Sequence, residues 1–104
     1  MLDSTAAAAV GAEEQALLEE AAELEVSLQL NLALAAIKKE SWWVALDAAG
    51  AVLDRRPGNA KALYRRGVAL ARLGQTDSAT EDFEELLRQG PNADAERELR
   101  ALRP

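Results

Sequence analysis

Two residue types are missing altogether, because the 104 residues include no cysteine and no histidine. Without cysteine the chain cannot form disulfides, thiolate metal sites or a cysteine nucleophile. Without histidine it cannot supply a serine–histidine triad or an imidazole metal ligand from its own residues. Aromatic residues make up only 4%. Aromatic and β-branched residues together are too few for an all-β fold. We therefore expect an all-α domain that needs no cofactor and is not an enzyme.

Long apolar runs and a basic N-terminus are also absent. No apolar segment approaches the roughly 20 residues of a membrane span, and Met1-Leu2-Asp3-Ser4 lacks the basic start of a signal peptide. We therefore expect a cytoplasmic protein that does not bind membranes. The net charge is −6, which disfavours nucleic-acid binding because that requires neutralisation of phosphates. Apolar residues still make up 49%, which is enough to build a core.

The charges are unevenly placed along the chain. Residues 1–25 contain seven acids and no base, whereas residues 55–72 contain six bases and no acid. The negative average therefore hides a local cationic stretch. Such a stretch is often only a solvated surface, but its bases here fall at fixed positions of a repeat.

The repeat has a period of 34 residues and divides residues 26–93 into two units, 26–59 and 60–93, with no gap. The second unit carries small residues, an aromatic residue and a proline at Gly67, Ala79, Phe83 and Pro91, and their counterparts in the first unit are Ala33, Ala45, Ala49 and Pro57. A period of 34 with this spacing is the pattern of tetratricopeptide repeats (TPRs). The sequence therefore resembles a TPR protein, an α-solenoid of paired helices.

Five helices are predicted, in a TPR domain that spans residues 12–104 after a disordered or frayed segment, 1–11. Small residues mark the places where the two helices of each unit must touch, so Ala33, Ala45, Gly67 and Ala79 should be buried. The helices should break at Glu40-Ser41, Gly74-Gln75 and before each internal proline. Ser41, Asn59, Thr76 and Asn92 are the candidate helix N-caps. The predicted ranges are about 13–39, 42–55, 60–73, 76–89 and a capping helix at 94–102.

Residues 30–33 and 61–67 resemble the C-terminal TPR region of large immunophilins, which are peptidyl-prolyl isomerase co-chaperones. That resemblance implies a carboxylate clamp, which holds the acidic C-terminal tail of a heat-shock chaperone. It assigns three of the five clamp positions to Asn31, Lys61 and Arg65. The other two belong to a preceding repeat that this sequence does not contain. The repeat positions also place a second basic row, Lys38 and Arg72, in the groove, together with Ser27, Leu34 and Val68. Arg55 and Arg66 match no clamp position and are expected at the surface.

The first helix is longer than the first helix of a TPR. Its leucines before residue 26 have no partner within two repeats, and about three repeats are needed for stability. The sequence therefore predicts either a piece of a longer array or a homodimer that packs through Leu17, Leu18 and Leu24. Trp42 and Trp43 are adjacent on a helix, so one should pack and the other should be partly exposed.

Three functions remain open from the sequence. The first is a co-chaperone adaptor for an acidic chaperone tail, and the second is a TPR scaffold for another peptide or helix. The third is a repeat protein that mainly self-associates through its long first helix.

Overall fold

The computed structural model describes the backbone of residues 4–104 and the side chains of residues 11–104. That part of the chain forms five α-helices and no strand, so the prediction of an all-α fold is confirmed. Each of the last four helices agrees with its predicted range to within one residue. The helices are α1 (Ser4–Lys38), α2 (Trp42–Arg55), α3 (Ala60–Arg72), α4 (Thr76–Gln89) and α5 (Ala93–Leu102).

Helix α1 begins at Ser4, well before the predicted start near residue 13. Residues 4–11 were predicted to be frayed or disordered, and they are helical instead. The four consecutive alanines at 6–9 explain the difference, because alanine has the highest helix propensity of all residues. Residues 1–3 of the predicted frayed segment lie outside the described residues.

The turns that follow α1 and α3 have the same hydrogen-bond pattern. The Ser41 amide donates to the Ala36 carbonyl at 2.8 Å, and the Gln75 amide donates to the Leu70 carbonyl at 2.8 Å. Such a bond five residues back defines a Schellman turn, which requires a residue in the left-handed region just before its donor. Gly74 has a φ of 81° there, and Glu40 has 58°. Both predicted helix breaks are therefore confirmed.

The predicted contacts between paired helices are also confirmed. Ala33, Ala45 and Ala79 have no exposed surface, and Gly67 is buried as well. A Cβ atom at Gly67 would lie 2.7 Å from the ring of Phe83, so only glycine allows this approach of α3 to α4. The remaining buried side chains fill the space between the pairs, with Val52, Leu53 and Leu63 on the α1 side and Phe83 and Leu86 towards α5.

Three of the four predicted N-cap residues hold the cap position, and two of these three make a capping hydrogen bond. The Asn59 side chain accepts a hydrogen bond from the Ala62 amide, and the Asn92 side chain accepts one from the Ala95 amide, both at 2.9 Å. Ser41 occupies the N-cap of α2 but makes no capping bond through its side chain. Thr76 was predicted wrongly, because it is the first helical residue of α4 and Gln75 holds the cap position.

Arg66 was expected to be a surface residue, and that prediction was wrong. Its Nε and Nη2 atoms donate to the two carboxylate oxygens of Asp82, both at 2.8 Å. The Asp82 side chain is buried, and the pair joins α3 to α4. Bidentate pairing of this kind fixes both side chains, because the fork of the guanidinium matches the carboxylate geometry.

The N-terminal arm of α1, residues 4–21, projects from the body of the repeats. Every side chain from residue 11 to residue 21 is exposed, and the first buried one is Val26. The molecule measures 69 × 28 × 19 Å, with a radius of gyration of 18.1 Å, whereas a compact chain of about 100 residues has about 13 Å. Two ion pairs attach the helix next to the arm: Glu25 to Arg55 at 2.9 Å, and Glu23 to Arg56.

The two tryptophans divide as predicted. Trp42 is partly buried and packs against the cluster around Phe83. Trp43 is 65% exposed. Adjacent helix positions point about 100° apart, so a single face of α2 cannot bury both rings.

Candidate peptide-binding groove

Helix α3 carries Lys61 and Arg65 one turn apart, so both side chains lie on the same face. Arg65 reaches across to α1, where its Nη1 atom donates to the Leu30 carbonyl oxygen at 2.9 Å. Leu30 is the residue immediately before Asn31. The contact therefore holds the Arg65 guanidinium beside the part of α1 that carries Asn31.

Arg65 is partly buried and has no carboxylate within 4 Å among the described residues. The other partly buried arginine in that part of the chain, Arg66, is paired with Asp82. Burial lowers the pKa of Arg65 below its usual value, because the charged form loses water. A guanidinium that is partly desolvated and faces no counterion favours an anionic ligand.

Lys61 and Asn31 are both exposed to solvent. Among the residues that the structure describes, no carboxylate lies within 4 Å of the Lys61 amine. Together with Arg65 they supply a mobile ammonium, a neutral amide and a fixed guanidinium. A carboxylate accepts hydrogen bonds from all three groups, and bonds to charged donors are the stronger ones.

The second basic row differs from the first. Lys38 is exposed at the C-terminus of α1. Arg72 lies over the ring of Trp42, 5.9 Å from the ring centroid, and its Nη1 atom is 3.6 Å from a carboxylate oxygen of Glu98. Arg72 is therefore held by α2 and α5 together, and it is already partly neutralised.

The three uncharged residues that were predicted to line the groove differ in their exposure. Leu34 and Ser27 are exposed, as groove residues should be. Val68 was predicted to line the groove, but it is only 5% exposed and packs with Ala79 and Phe83. The prediction was wrong because α5 and α4 close over this turn of α3, and the repeat position alone does not include α5.

Tyr64 lies next to the groove on α3. Its ring packs against Phe83, with centroids 6.0 Å apart. Burial raises the pKa of the Tyr64 phenol above its usual value, and the nearby carboxylates of Glu98 and Asp94 raise it further. Tyr64 therefore adds no charge to the groove at neutral pH, and its ring packs against Phe83.

Glu98 pairs with the groove residue Arg72, and the repeat pattern did not indicate this contact. Glu98 lies on α5, and nothing in its local sequence separates it from the other acids of that helix. Its pairing with Arg72 depends on how α5 packs on α3. A helical wheel of α5 would have indicated only that Glu98 lies on the same face as the apolar residues. The structure agrees, because the Glu98 side chain is only 14% exposed.

No group of three or more acids within the described part of the chain is placed to hold a metal ion. Among the described helices, none combines the length and the apolar composition that a membrane crossing requires.

Curated relatives share this region of the chain. A plant protein, "Peptidyl-prolyl cis-trans isomerase FKBP42" of Arabidopsis thaliana, is 45% identical over 74 residues, which cover 70% of this chain and 20% of that protein. "FK506-binding protein-like" of Mus musculus is 42% identical over 72 residues, or 69% of this chain and 21% of that protein. The matching region spans about a fifth of the length of these relatives.

Two solved structures are similar in fold. The C-terminal TPR-containing domain of an FK506-binding protein from Plasmodium falciparum superposes with a TM-score of 0.81 at 32% identity, covering 85% of this chain and 59% of that one. The first TPR of Spaghetti (RPAP3), bound to the HSP90 peptide SRMEEVD, superposes with a TM-score of 0.71 at 29% identity. That match covers 74% of this chain and 62% of the other.

The family model described as tetratricopeptide repeat matches residues 30–94, which is more than half of the chain. The match falls on the two helix pairs and on the residues whose contacts define them. The chain therefore belongs to the tetratricopeptide repeat family.

Proposed function

We propose that this domain is an adaptor that binds the acidic C-terminal tail of a heat-shock chaperone through a partial carboxylate clamp formed by Asn31, Lys61 and Arg65. The observation that carries the proposal is Arg65, which is partly desolvated, fixed to the Leu30 carbonyl, and without a carboxylate within 4 Å among the described residues. A peptide carboxylate would supply the missing counterion.

Each clamp residue has a distinct part in this proposal. Arg65 uses one N–H on Leu30, so the rest of its five donors are left for the ligand. Lys61 is one turn away and supplies a second charge that can follow the ligand. Asn31 supplies a neutral donor, which orients a carboxylate without adding charge. Lys38 and Arg72 would meet acidic side chains further along the peptide.

Arg72 already has an internal carboxylate nearby, that of Glu98. Its guanidinium is 3.6 Å from Glu98, so a ligand carboxylate there must compete with an internal one. We therefore expect Arg72 to contribute less to binding than Arg65. Its contact with Trp42 holds the guanidinium in place while the partner carboxylate changes.

The comparisons support the class of ligand. Spaghetti (RPAP3) is bound to an HSP90 peptide whose last four residues are Glu-Glu-Val-Asp, and its fold matches this one. The relatives named as isomerases or FK506-binding proteins match over about a fifth of their length. We propose binding without catalysis for this domain, and a cytoplasmic location, where such a chaperone tail would be met.

The test is a calorimetric titration of the chain with a Glu-Glu-Val-Asp peptide and with its C-terminally amidated form. We expect a Kd of tens of micromolar or weaker, a rough figure because the clamp is partial. The amide should bind at least about tenfold more weakly, since hydrogen bonds to charged groups contribute about 1.5–3 kcal/mol each. Affinity should also fall as salt rises, because exposed charges are screened.

Substitutions locate the site. Lys61→Ala and Arg65→Ala should each weaken binding by about tenfold or more. Arg100→Ala is the matched control, because it removes an exposed positive charge from α5, outside the groove, and should leave the Kd unchanged. Equal binding of the acid and the amide would refute the clamp. Binding that survives Lys61→Ala and Arg65→Ala would instead favour a scaffold for another peptide or helix.

A further inference from the structure

An unbroken apolar stripe runs along α1 on the face that points away from the other helices. Its four leucines are 66%, 63%, 70% and 47% exposed, in chain order. They follow one another at spacings of seven, four and four residues, which keeps them on one face of a helix. The stripe consists of Leu17, Leu24, Leu28 and Leu32, with the small residues Ala21 and Ala35 between and after them.

Helices α2 to α5 do not cover this stripe. The buried side of α1 carries Val26 and Ala33, and those positions lie roughly opposite to Leu24 and Leu28 at 100° per residue. Helices α2 and α3 therefore pack against the other side. Contiguous exposed apolar surface of this kind marks an interaction site, whereas single exposed leucines do not.

The charges beside the stripe favour a partner of matching charge pattern. Its N-terminal end is flanked by Glu13 and Glu14, and its C-terminal end by Lys38 and Lys39. The acidic and the basic pair are nearly equidistant from the middle of the stripe, which falls between Leu24 and Leu28. A second helix with the same pattern, running in the opposite direction, would match both ends at once.

We propose that the stripe is the interface of a homodimer, in which the α1 helices of two copies pack antiparallel about a two-fold axis near residue 26. Leu24 of one copy then lies against the partner's Leu28, and Leu17 lies near the partner's Ala35. An interface of this symmetry is self-complementary, since each contact occurs twice. Large residues then face each other at the centre of the contact, and a large residue faces a small one towards each end.

In this register the charges that flank the stripe meet opposite charges of the partner at both ends. In an antiparallel pair, residues on the same side of the apolar face meet one another. Glu13 and Lys38 lie on one side of the stripe. Glu14 lies on the other side with Lys39, the residue just after α1, whose amide still donates to the Ala35 carbonyl at 3.1 Å as in a helix. The two-fold axis near residue 26 therefore brings Glu13 to the partner's Lys38 and Glu14 to the partner's Lys39. A parallel pair would instead place acid against acid and base against base. In the dimer the partner's Glu13 would compete with a bound peptide for Lys38, so the peptide would be held mainly by Asn31, Lys61 and Arg65.

Leu18 and Glu25 lie beside the stripe and show where the proposed contact ends. Leu18 was predicted to join the dimer contact, and it is 59% exposed, but it points about 100° away from Leu17 and off the stripe. Glu25 lies near the proposed axis, where two copies would bring two like charges together. Its carboxylate is already paired with Arg55 at 2.9 Å, which reduces that repulsion.

The first test is the sedimentation behaviour of the intact chain over a range of concentrations, where we expect a reversible monomer–dimer equilibrium. Leu24→Glu should shift the dissociation constant upward by at least about tenfold, because it places a charge at the centre of an apolar contact. Leu18→Glu is the matched control, since it changes an equally exposed leucine of the same helix and should leave the equilibrium as it is. Circular dichroism of each variant reports whether the helices are intact.

The second test establishes orientation and register. One variant carries Glu13→Lys and Glu14→Lys, and the other carries Lys38→Glu and Lys39→Glu. Each variant alone should dimerise about tenfold more weakly than the unmodified chain. Mixed in equal amounts, the two should form a heterodimer, because every end contact then joins opposite charges.

Several outcomes would overturn the proposal. A chain that stays monomeric at roughly 500 micromolar, where a dimer with a Kd in that range would be half formed, would refute the homodimer and favour another occupant of the stripe, such as a further repeat. Dimers that are disrupted by Leu18→Glu and not by Leu24→Glu would place the contact on a different face. Variants that lose no affinity alone, or a mixture that forms no heterodimer, would contradict the antiparallel register.

Discussion

Replacing Gly67 by alanine should destabilise the domain, although alanine favours helices. A Cβ at this position would lie 2.7 Å from two ring atoms of Phe83 and 3.1 Å from a third. Phe83 has no exposed surface, so its ring cannot move into solvent to make room. Overpacking of a tight core costs about 1–3 kcal/mol.

The gain in helix propensity opposes that cost. Alanine in place of glycine within a helix stabilises by about 1 kcal/mol. We therefore expect a net loss of about 1 kcal/mol in the free energy of unfolding, with Gly67→Leu losing more. For a domain of this size, 1 kcal/mol corresponds to a fall of about 4–8 °C in Tm. Urea unfolding followed by circular dichroism measures the same quantity independently.

Gly50 provides the matched control. It also lies inside a helix, α2, but a Cβ there has no neighbour within 4 Å. Gly50→Ala should therefore show the propensity gain alone, about 0.5–1 kcal/mol of added stability. If Gly67→Ala is as stable as Gly50→Ala, then the ring of Phe83 does not set the distance between α3 and α4, and the reasoning fails.

Two further predictions concern Glu40 and Tyr64. Glu40→Gly should stabilise the domain by about 0.5–1 kcal/mol, because Glu40 has a φ of 58°, where glycine has no steric penalty. Thermal unfolding measures the change in stability, and the control Glu40→Ala should show no gain. Tyr64 is the single tyrosine, so ultraviolet difference absorbance should follow its ionisation and give a pKa above the usual 10.0. An acid whose pKa is raised by folding keeps more protons in the native state, so stability should be unaffected below the unfolded pKa and should fall as pH rises through the folded pKa. A midpoint at or below 10.0 would contradict the packing of Tyr64 beside Glu98 and Asp94.

The sequence predicted the helix pairs because their signals are local and repeat with a fixed period. Ala33 and Gly67 are small because another helix crosses each of them, and Asn59 and Asn92 cap the helices that follow. The turns at Glu40 and Gly74 could be located for the same reason. Residue types at repeat positions also indicated the candidate clamp, Asn31, Lys61 and Arg65, which the proposed titration tests.

The tertiary structure decided the pairings between residues that are distant in sequence. Arg66 has a buried partner in Asp82, and Arg72 is shared between Trp42 and Glu98, although their sequence positions resemble those of exposed arginines. Val68 is buried because α4 and α5 close over it. The repeat pattern constrains each helix against its immediate neighbour, whereas an ion pair depends on the relative positions of two helices, to within about an ångström. For that reason the sequence by itself determined the solenoid and the leucines of α1. Only the folded chain showed that, among the described residues, Arg65 is partly buried without a carboxylate partner, and which face of α1 the other described helices leave uncovered.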